Sequence, residues 1–307
     1  MTDGEHGRHH RPAGDPADYA DYGDGGAASV ATVPPAAPLG RPLAPRRRRG
    51  DAIRTFLRGV GQTLVTLGLV VLLFVVYEVW VTNLFAHAAQ HKVHTALENA
   101  WADGVDPLPG AGTSGIPLGT GIANLYIPRL GRDYAFTIVE GSDDASLEKG
   151  PGHYVGTALP GQVGDFAVAG HRVGKGEPFL NLDHLKAGDT VIVETLKDWY
   201  VYTVLGDAKT GNLATPDVNG VPGREIVDPS QNRVILPIPN KPNAKPDPTN
   251  RADYYMTMTT CHPKFTAKQR MIVHAVLTTT IAKVKTGSTY SSTMPAAIQG
   301  LYTAAGV

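Results

Sequence analysis

An uninterrupted apolar segment lies at residues 59–77, where no charged side chain occurs. A helix of this length, at 1.5 Å per residue, spans the ~30 Å hydrocarbon core of a bilayer. Six arginines lie just before it between residues 46 and 58, four of them at 46–49, and Glu78 is the first charge after it. The positive-inside rule therefore predicts a single-pass anchor in the cell membrane, with the N-terminus in the cytoplasm and everything after the anchor outside. Trp80 and Phe85 are expected near the outer interface.

A cleaved signal peptide is the competing interpretation, because residues 86–88 read Ala-His-Ala, a small-x-small sequence. The apolar run is longer than the ~7–15 residues of a signal-peptide core, and about 50 residues precede it. We therefore expect an uncleaved anchor over residues 53–81. Residues 1–52, rich in Gly, Ala, Pro and Asp, are expected to form a disordered cytoplasmic tail.

Beyond the anchor the pattern changes to short runs of β-branched and aromatic residues, which indicate strands. The predicted strands are 125–130, 134–141, 165–171, 190–195, 199–206, 233–239, 254–261 and 270–278. The fourth and fifth read as a hairpin, and only residues 178–185 suggest a short helix. Eight strands without helices at crossover spacing favour a mainly β fold, a closed or nearly closed eight-stranded barrel.

Composition divides the chain further. Residues 84–101 have helix-forming composition and residues 103–120 are rich in Gly, Pro and Ser. We therefore assign residues 82–121 to a stalk and linker, residues 122–285 to the barrel and residues 286–307 to a C-terminal tail.

The charges and the cysteine count restrict the chemistry. Lys and Arg together number 28, as do Asp and Glu, so the totals indicate no nucleic-acid partner. Cys261 is the only cysteine and cannot form an internal disulfide. An unpaired thiol outside the cytoplasm is a candidate reactive group.

Alternation along residues 254–261 places Cys261 on the same strand face as Thr257 and Thr259. Met256 and Met258 mark the other face as the core side. The thiol is thus predicted on a polar, semi-exposed face at a strand end, which favours chemistry over a role as a small core residue.

A thiol needs a base or a charged partner to act as a nucleophile at neutral pH. His171, which ends the strand in AVAGHR, is the better candidate, because His262 points to the opposite face from Cys261. Its small neighbours Ala167 and Ala169 would leave room there for a ligand, and Gly170 would let backbone come close. His153, His184 and His274 are less suited, and His274 is expected to pack within its strand.

Acyl transfer also requires a donor to the developing oxyanion. Arg270 begins the strand that follows the cysteine loop, and it approaches Cys261 if the two strands are neighbours. A solvated charge at the strand edge is the alternative.

The motif AVAGHR is followed later in the chain by TMTTC…R at 257–270. This order of motifs, on a barrel with an N-terminal anchor, resembles the sortase family. The segments GPGHYVGTALPGQVGDFAVAGHR and TTCHPKFTAKQRMIVHA are most similar to the actinobacterial class E sortases. The resemblance covers about residues 122–280 and implies a cysteine transpeptidase with His171, Cys261 and Arg270 as catalytic residues and no cofactor or metal.

By the same resemblance the enzyme cuts an LAxTG-type C-terminal sorting signal of secreted proteins between Thr and Gly. It then joins the protein to an amine of a peptidoglycan precursor, lipid II. Loops at 239–253 and 264–269 are expected to flank an extended peptide lying over Thr259 and Thr260. Tyr154 is a further candidate for substrate binding, at the second residue of the signal.

Two alternatives remain open from the sequence. The first is a pilin polymerase, with the same chemistry but a lysine nucleophile, although residues 103–120 hold no DPW- or DPF-like lid. The second is a non-enzymatic extracellular binding barrel in which Cys261 is structural and Arg270 is solvated.

Overall fold

The computed structural model describes residues 49–77, 82–108 and 115–307. Most of the predicted tail, Trp80 and the middle of the predicted linker, residues 109–114, lie outside the described residues. Helix α1, Arg49–Val76, covers residues 53–76 of the anchor predicted at 53–81, and residues 78–81 lie outside the described residues. By length and composition it is able to cross a membrane, and the apolar side chains described along it are exposed.

A closed barrel forms the centre of the remaining chain. Its strands in chain order are β1 Gly121–Tyr126, β2 Ala135–Glu140, β3 Gly152–His153, β4 Gly164–Ala169, β5 Thr190–Glu194, β6 Asp198–Val204, β7 Arg224–Val227, β8 Tyr254–His262 and β9 Gln269–Ala282. The sheet order is β6-β5-β1-β2-β3-β4-β8-β9-β7, and β6 also pairs with β9. This second pairing closes an eight-stranded ring, and β7 lies beside the first half of β9. The predicted eight-stranded barrel and the β5–β6 hairpin are confirmed.

The apolar strand faces meet inside this ring. Phe166 and Val168 of β4 pack there with Met256 and Met258 of β8, all fully buried. The methionine face of β8 is therefore the core face, as alternation predicted.

Residues 233–239 do not form the predicted strand. Asn232–Ile235 is a 3₁₀ helix whose Val234 packs with Val227 and Ile272. Pro237 and Pro239 have no N–H to donate to a ladder, so this apolar run is buried as a turn. The short strands β3 and β7 were not predicted. The helix predicted at 178–185 is reduced to a 3₁₀ helix at Leu182–His184.

Helices lie on the outside of the barrel. The predicted helix at 84–101 is present as α2, Thr82–Ala102. Its Gln90 side chain donates to Lys149 O at 2.6 Å and accepts from Thr137 N at 2.6 Å, so α2 is docked on β2. A Cβ on Gly121 would lie 2.9 Å from Val93 of α2, which shows how closely helix and strand approach.

The described chain also has 3₁₀ helices at Pro128–Leu130 and Arg251–Asp253 and three further elements. They are α3 at Asp144–Leu147, the hairpin of β10 Lys285–Thr286 with β11 Thr289–Tyr290, and α4 at Ala296–Ala305. Helix α4 was not predicted; it buries Ile298 and Tyr302 against Trp199 and Ile192 on the outer face of the barrel.

Candidate active site

Strands β4 and β8 run parallel and end at the same edge of the barrel. Their register pairs Ala169 with Thr259, and the last backbone bond runs from Gly170 N to Thr259 O at 3.0 Å. If this register continued for two residues past Ala169, where β4 ends, His171 would lie opposite Cys261 on one face of the sheet. At the usual strand spacing of ~4.8 Å we therefore expect the imidazole and the thiol to lie close together.

The hairpin of β8 and β9 brings Arg270 to the same place. Its antiparallel register pairs Cys261 directly with Arg270, and opposite residues in such a pair share a face. Arg270 Nη1 donates to two carbonyls of the connecting loop, Ala267 O at 3.1 Å and Gln269 O at 3.2 Å. The predicted proximity of the two strands is therefore confirmed.

The strand face that carries Cys261 is less exposed than its polar residues suggested. Thr257 is fully buried and its hydroxyl bonds to Asp165 Oδ1 at 2.8 Å and His274 Nδ1 at 2.9 Å. Thr259 is also buried. Only Cys261, at the end of the strand, is half-buried. The polar side chains on this face bond to one another, and the thiol is the first group along it to reach solvent.

His171 is held by its backbone. Its carbonyl accepts from Phe179 N at 3.0 Å. On the core side of the sheet the Phe179 ring packs against Gly170, where a Cβ would lie 2.5 Å from it, so glycine lets the ring approach the backbone beside His171.

The imidazole of His171 has an incomplete set of partners. Its Nε2 is buried and has no hydrogen-bond partner among the described residues. Burial lowers the pKa of His171, and the nearby positive charge of Lys175 lowers it further, against a smaller opposing effect of Asp144 and Glu148. The neutral imidazole is therefore favoured in this substrate-free state.

The three residues predicted to contact substrate fall on two faces. Tyr154 Oη and Thr259 Oγ1 share a hydrogen bond of 2.8 Å on the face that carries Cys261. Thr260 lies on the core face, is 2% exposed and donates to Gly170 O at 2.8 Å. The structure therefore brings Tyr154 and Thr259 towards the site, while the Thr260 side chain joins the two strands.

A comparison with protein families agrees with this arrangement. Residues 125–278, half of the chain, match the family model described as the sortase domain. The chain belongs to the sortase family. In Streptomyces coelicolor, sortase SrtE1 is 35% identical over 249 residues, 78% of this chain and 63% of that protein. Sortase SrtE2 of the same organism is 31% identical over 247 residues, 76% of this chain and 87% of that protein.

A solved structure shares the fold of this sortase. The SrtF sortase from Corynebacterium diphtheriae is 40% identical, with a TM-score of 0.53, over 64% of this chain and 98% of that one. The resemblance to class E sortases is confirmed by the two Streptomyces proteins. The chain covers less than two thirds of the length of SrtE1.

Two segments before β8 lie along this side of the sortase barrel. Strand β7 ends at Val227, paired with Arg270, so the residues after Val227 begin beside the site. Residues 239–253 then lead into the start of β8: Asn240 donates to Glu225 of β7 at 2.7 Å, and Ala244 packs near Tyr255. That residues 239–253 flank a bound peptide remains a prediction.

The sequence also did not single out Arg172, which follows His171 directly. Its side chain is 4% exposed, and its guanidinium reaches the Cys261 carbonyl and Asp183. Burial of an arginine next to the histidine is the unusual feature, and the only sequence signal was its adjacency to His171.

Proposed function

We propose that the protein is a membrane-anchored cysteine transpeptidase in which Cys261, His171 and Arg270 are the catalytic residues. The observation that carries this proposal is the register of three strands. It pairs Cys261 with Arg270 and Ala169 with Thr259, two residues before His171 and Cys261, which supports a cluster of thiol, imidazole and guanidinium at one barrel edge.

The chemistry follows from these three groups. The Cys261 thiolate attacks the carbonyl of the scissile bond, and Arg270 stabilises the oxyanion that forms. His171, as imidazolium, gives its proton to the leaving amine, and a thioester to Cys261 remains. The incoming amine then attacks the thioester, the neutral imidazole takes the proton that this amine loses, and Cys261 is released as the thiolate. The cycle returns every group to its starting protonation state.

The substrate we propose is an LAxTG-type C-terminal signal of secreted proteins, cut between Thr and Gly. Thr259 and the hydroxyl of Tyr154 lie on the Cys261 face, which supports contact with the residues that precede the scissile bond. The acceptor is an amine of a peptidoglycan precursor. In this topology residues 1–52 are cytoplasmic, α1 lies in the membrane and the barrel lies outside.

A transfer assay with the full-length chain in detergent tests the proposal. An LAxTG peptide and an added amine should yield the amide of the threonyl fragment with that amine, and the matched LPxTG peptide should react more slowly. Absence of both hydrolysis and transfer with every signal peptide would contradict the proposal. Lysine isopeptide products from native clients would instead favour a pilin polymerase.

Arg270→Lys is expected to lower kcat/KM by about 10²–10³-fold, the usual effect of losing one oxyanion donor. Lysine keeps the charge but loses the planar fork of donors. Arg251→Lys is the matched control, since Arg251 contacts the Tyr254 ring at the start of β8 and should leave the rate unchanged. Wild-type kcat/KM in Arg270→Lys would refute the assigned role.

Lys175→Met is expected to shift the pH dependence of transfer to higher pH. The Lys175 charge lowers the pKa of His171, so its removal raises that pKa and enlarges the imidazolium fraction above neutral pH. At pH 7.5 kcat/KM should rise, by less than about tenfold, because a tenfold gain needs a shift of one full unit. A pH–rate profile checks this, with Lys209→Met on an exposed loop as control. A profile displaced to lower pH would contradict it.

A further inference from the structure

The backbone ladder between β4 and β8 ends before His171 and Cys261, the two residues that the proposed reaction needs side by side. Its last backbone bond runs from Gly170 N to Thr259 O at 3.0 Å, and the Thr260 side chain then donates from Oγ1 to Gly170 O at 2.8 Å. His171 and Cys261 both lie beyond these bonds. Another contact is needed to fix the end of β8 relative to the segment that carries the histidine.

Arg172 supplies a contact across this gap. Its Nη1 donates to Cys261 O at 3.3 Å and to His262 Nδ1 at 2.9 Å. Since arginine cannot accept, His262 Nδ1 must be the acceptor and the ring hydrogen lies on Nε2. One guanidinium nitrogen thus binds the backbone of Cys261 and the side chain of the next residue.

The other terminal nitrogen of the Arg172 guanidinium binds Asp183, which lies outside β8. Arg172 Nη2 lies 3.1 Å from Asp183 Oδ2, in the 3₁₀ helix that follows the His171 segment. The Arg172 side chain is 4% exposed, so its charge needs these partners. Asp183 thereby fixes the plane of the guanidinium, and the guanidinium fixes Cys261.

We infer that Arg172 is a positioning residue that holds Cys261 in register with His171 during transfer. This inference rests on the proposed function. Arg172 acts through the Cys261 carbonyl and has no described contact with the thiol or the imidazole. A planar fork can bridge two acceptors at a fixed angle, and a lysine ammonium cannot do so.

Arg172→Met is expected to lower kcat by about 10–100-fold and to leave KM for the peptide within about threefold, since a displacement near 1 Å at a reacting group costs up to ~10²-fold. Arg172→Lys should recover part of the loss. The matched control is Arg129→Met, which breaks the half-buried pair of Arg129 with Asp189 at 2.7 Å on other elements. It should lower Tm without changing kcat.

Two readouts separate this inference from the proposed function. Steady-state kinetics on full-length variants gives kcat and KM, and the pH dependence of Cys261 alkylation by iodoacetamide needs no substrate. The alkylation profile of Arg172→Met should resemble that of His171→Ala and differ from wild type. This result supports the inference even if no signal peptide reacts with the wild-type protein.

Wild-type kcat together with a wild-type alkylation profile in Arg172→Met would overturn the inference. A change of Arg172→Met confined to KM would also overturn the inference. So would a loss of kcat equal to that of Arg129→Met when the two variants have the same Tm. If Arg172→Met does not fold, Arg172→Lys decides: a reduced kcat at unchanged KM supports the role, and a wild-type kcat refutes it.

Discussion

Cys261→Ala is expected to abolish both cleavage and transfer, with a loss of at least about 10⁴-fold in kcat/KM. Cys261 is the only cysteine in the chain, so no other thiol can replace it. Its side chain is half-buried at the end of β8, and alanine leaves the backbone pairing with Arg270 intact. The variant should therefore fold with nearly the wild-type Tm and still bind peptide. Initial rates and peptide binding on the same preparation check both statements.

Cys261→Ser provides the second arm of this experiment. Serine keeps the size of the side chain but is a far weaker nucleophile at neutral pH, so its activity should be close to that of the alanine variant. Transfer at the wild-type rate in either variant would show that the thiol is not the nucleophile and would favour a binding barrel.

His171→Ala is expected to lower kcat by about 10³–10⁴-fold, because the residue serves as the acid in one half-reaction and as the base in the other. Both half-reactions should slow, and a stronger amine nucleophile should not restore the first. Single-turnover cleavage and steady-state transfer measure the two halves separately.

His184→Ala is the matched control for the histidine variant. His184 is exposed in the 3₁₀ helix at Leu182–His184, and its loss should leave both rates unchanged. Equal losses in the two variants would indicate a general effect on folding, and full activity in His171→Ala would exclude it as the acid–base group.

Local patterns were sufficient for the barrel and for the β8–β9 side of the site. Alternation identified the core face of β8. The short loop at 264–269 predicted that its two flanking strands are neighbours, and therefore that Arg270 approaches Cys261. Pairing of β4 with β8 is parallel and long-range, and only the family resemblance indicated it.

Other features depend on tertiary contacts that no local pattern contains. Strand β7 has four residues and is defined by pairing with β9, and the following apolar run is a turn because its prolines cannot join a ladder. The burial of Thr257 depends on Asp165 and His274, which are distant in sequence. Helix α4 had two local signals that the sequence analysis did not use: Ile298, Leu301 and Tyr302 recur at helical spacing, and Gly306 takes the left-handed C-cap position.

The acyl-enzyme is the most direct test of the central claim. Intact-protein mass spectrometry after mixing the full-length chain with an LAxTG peptide, without acceptor, should show one adduct with the mass of the peptide up to threonine. The adduct should map to Cys261, be released by hydroxylamine and be absent from Cys261→Ala. Cleaved peptide without any adduct, or an adduct on another residue that persists in Cys261→Ala, would contradict the account.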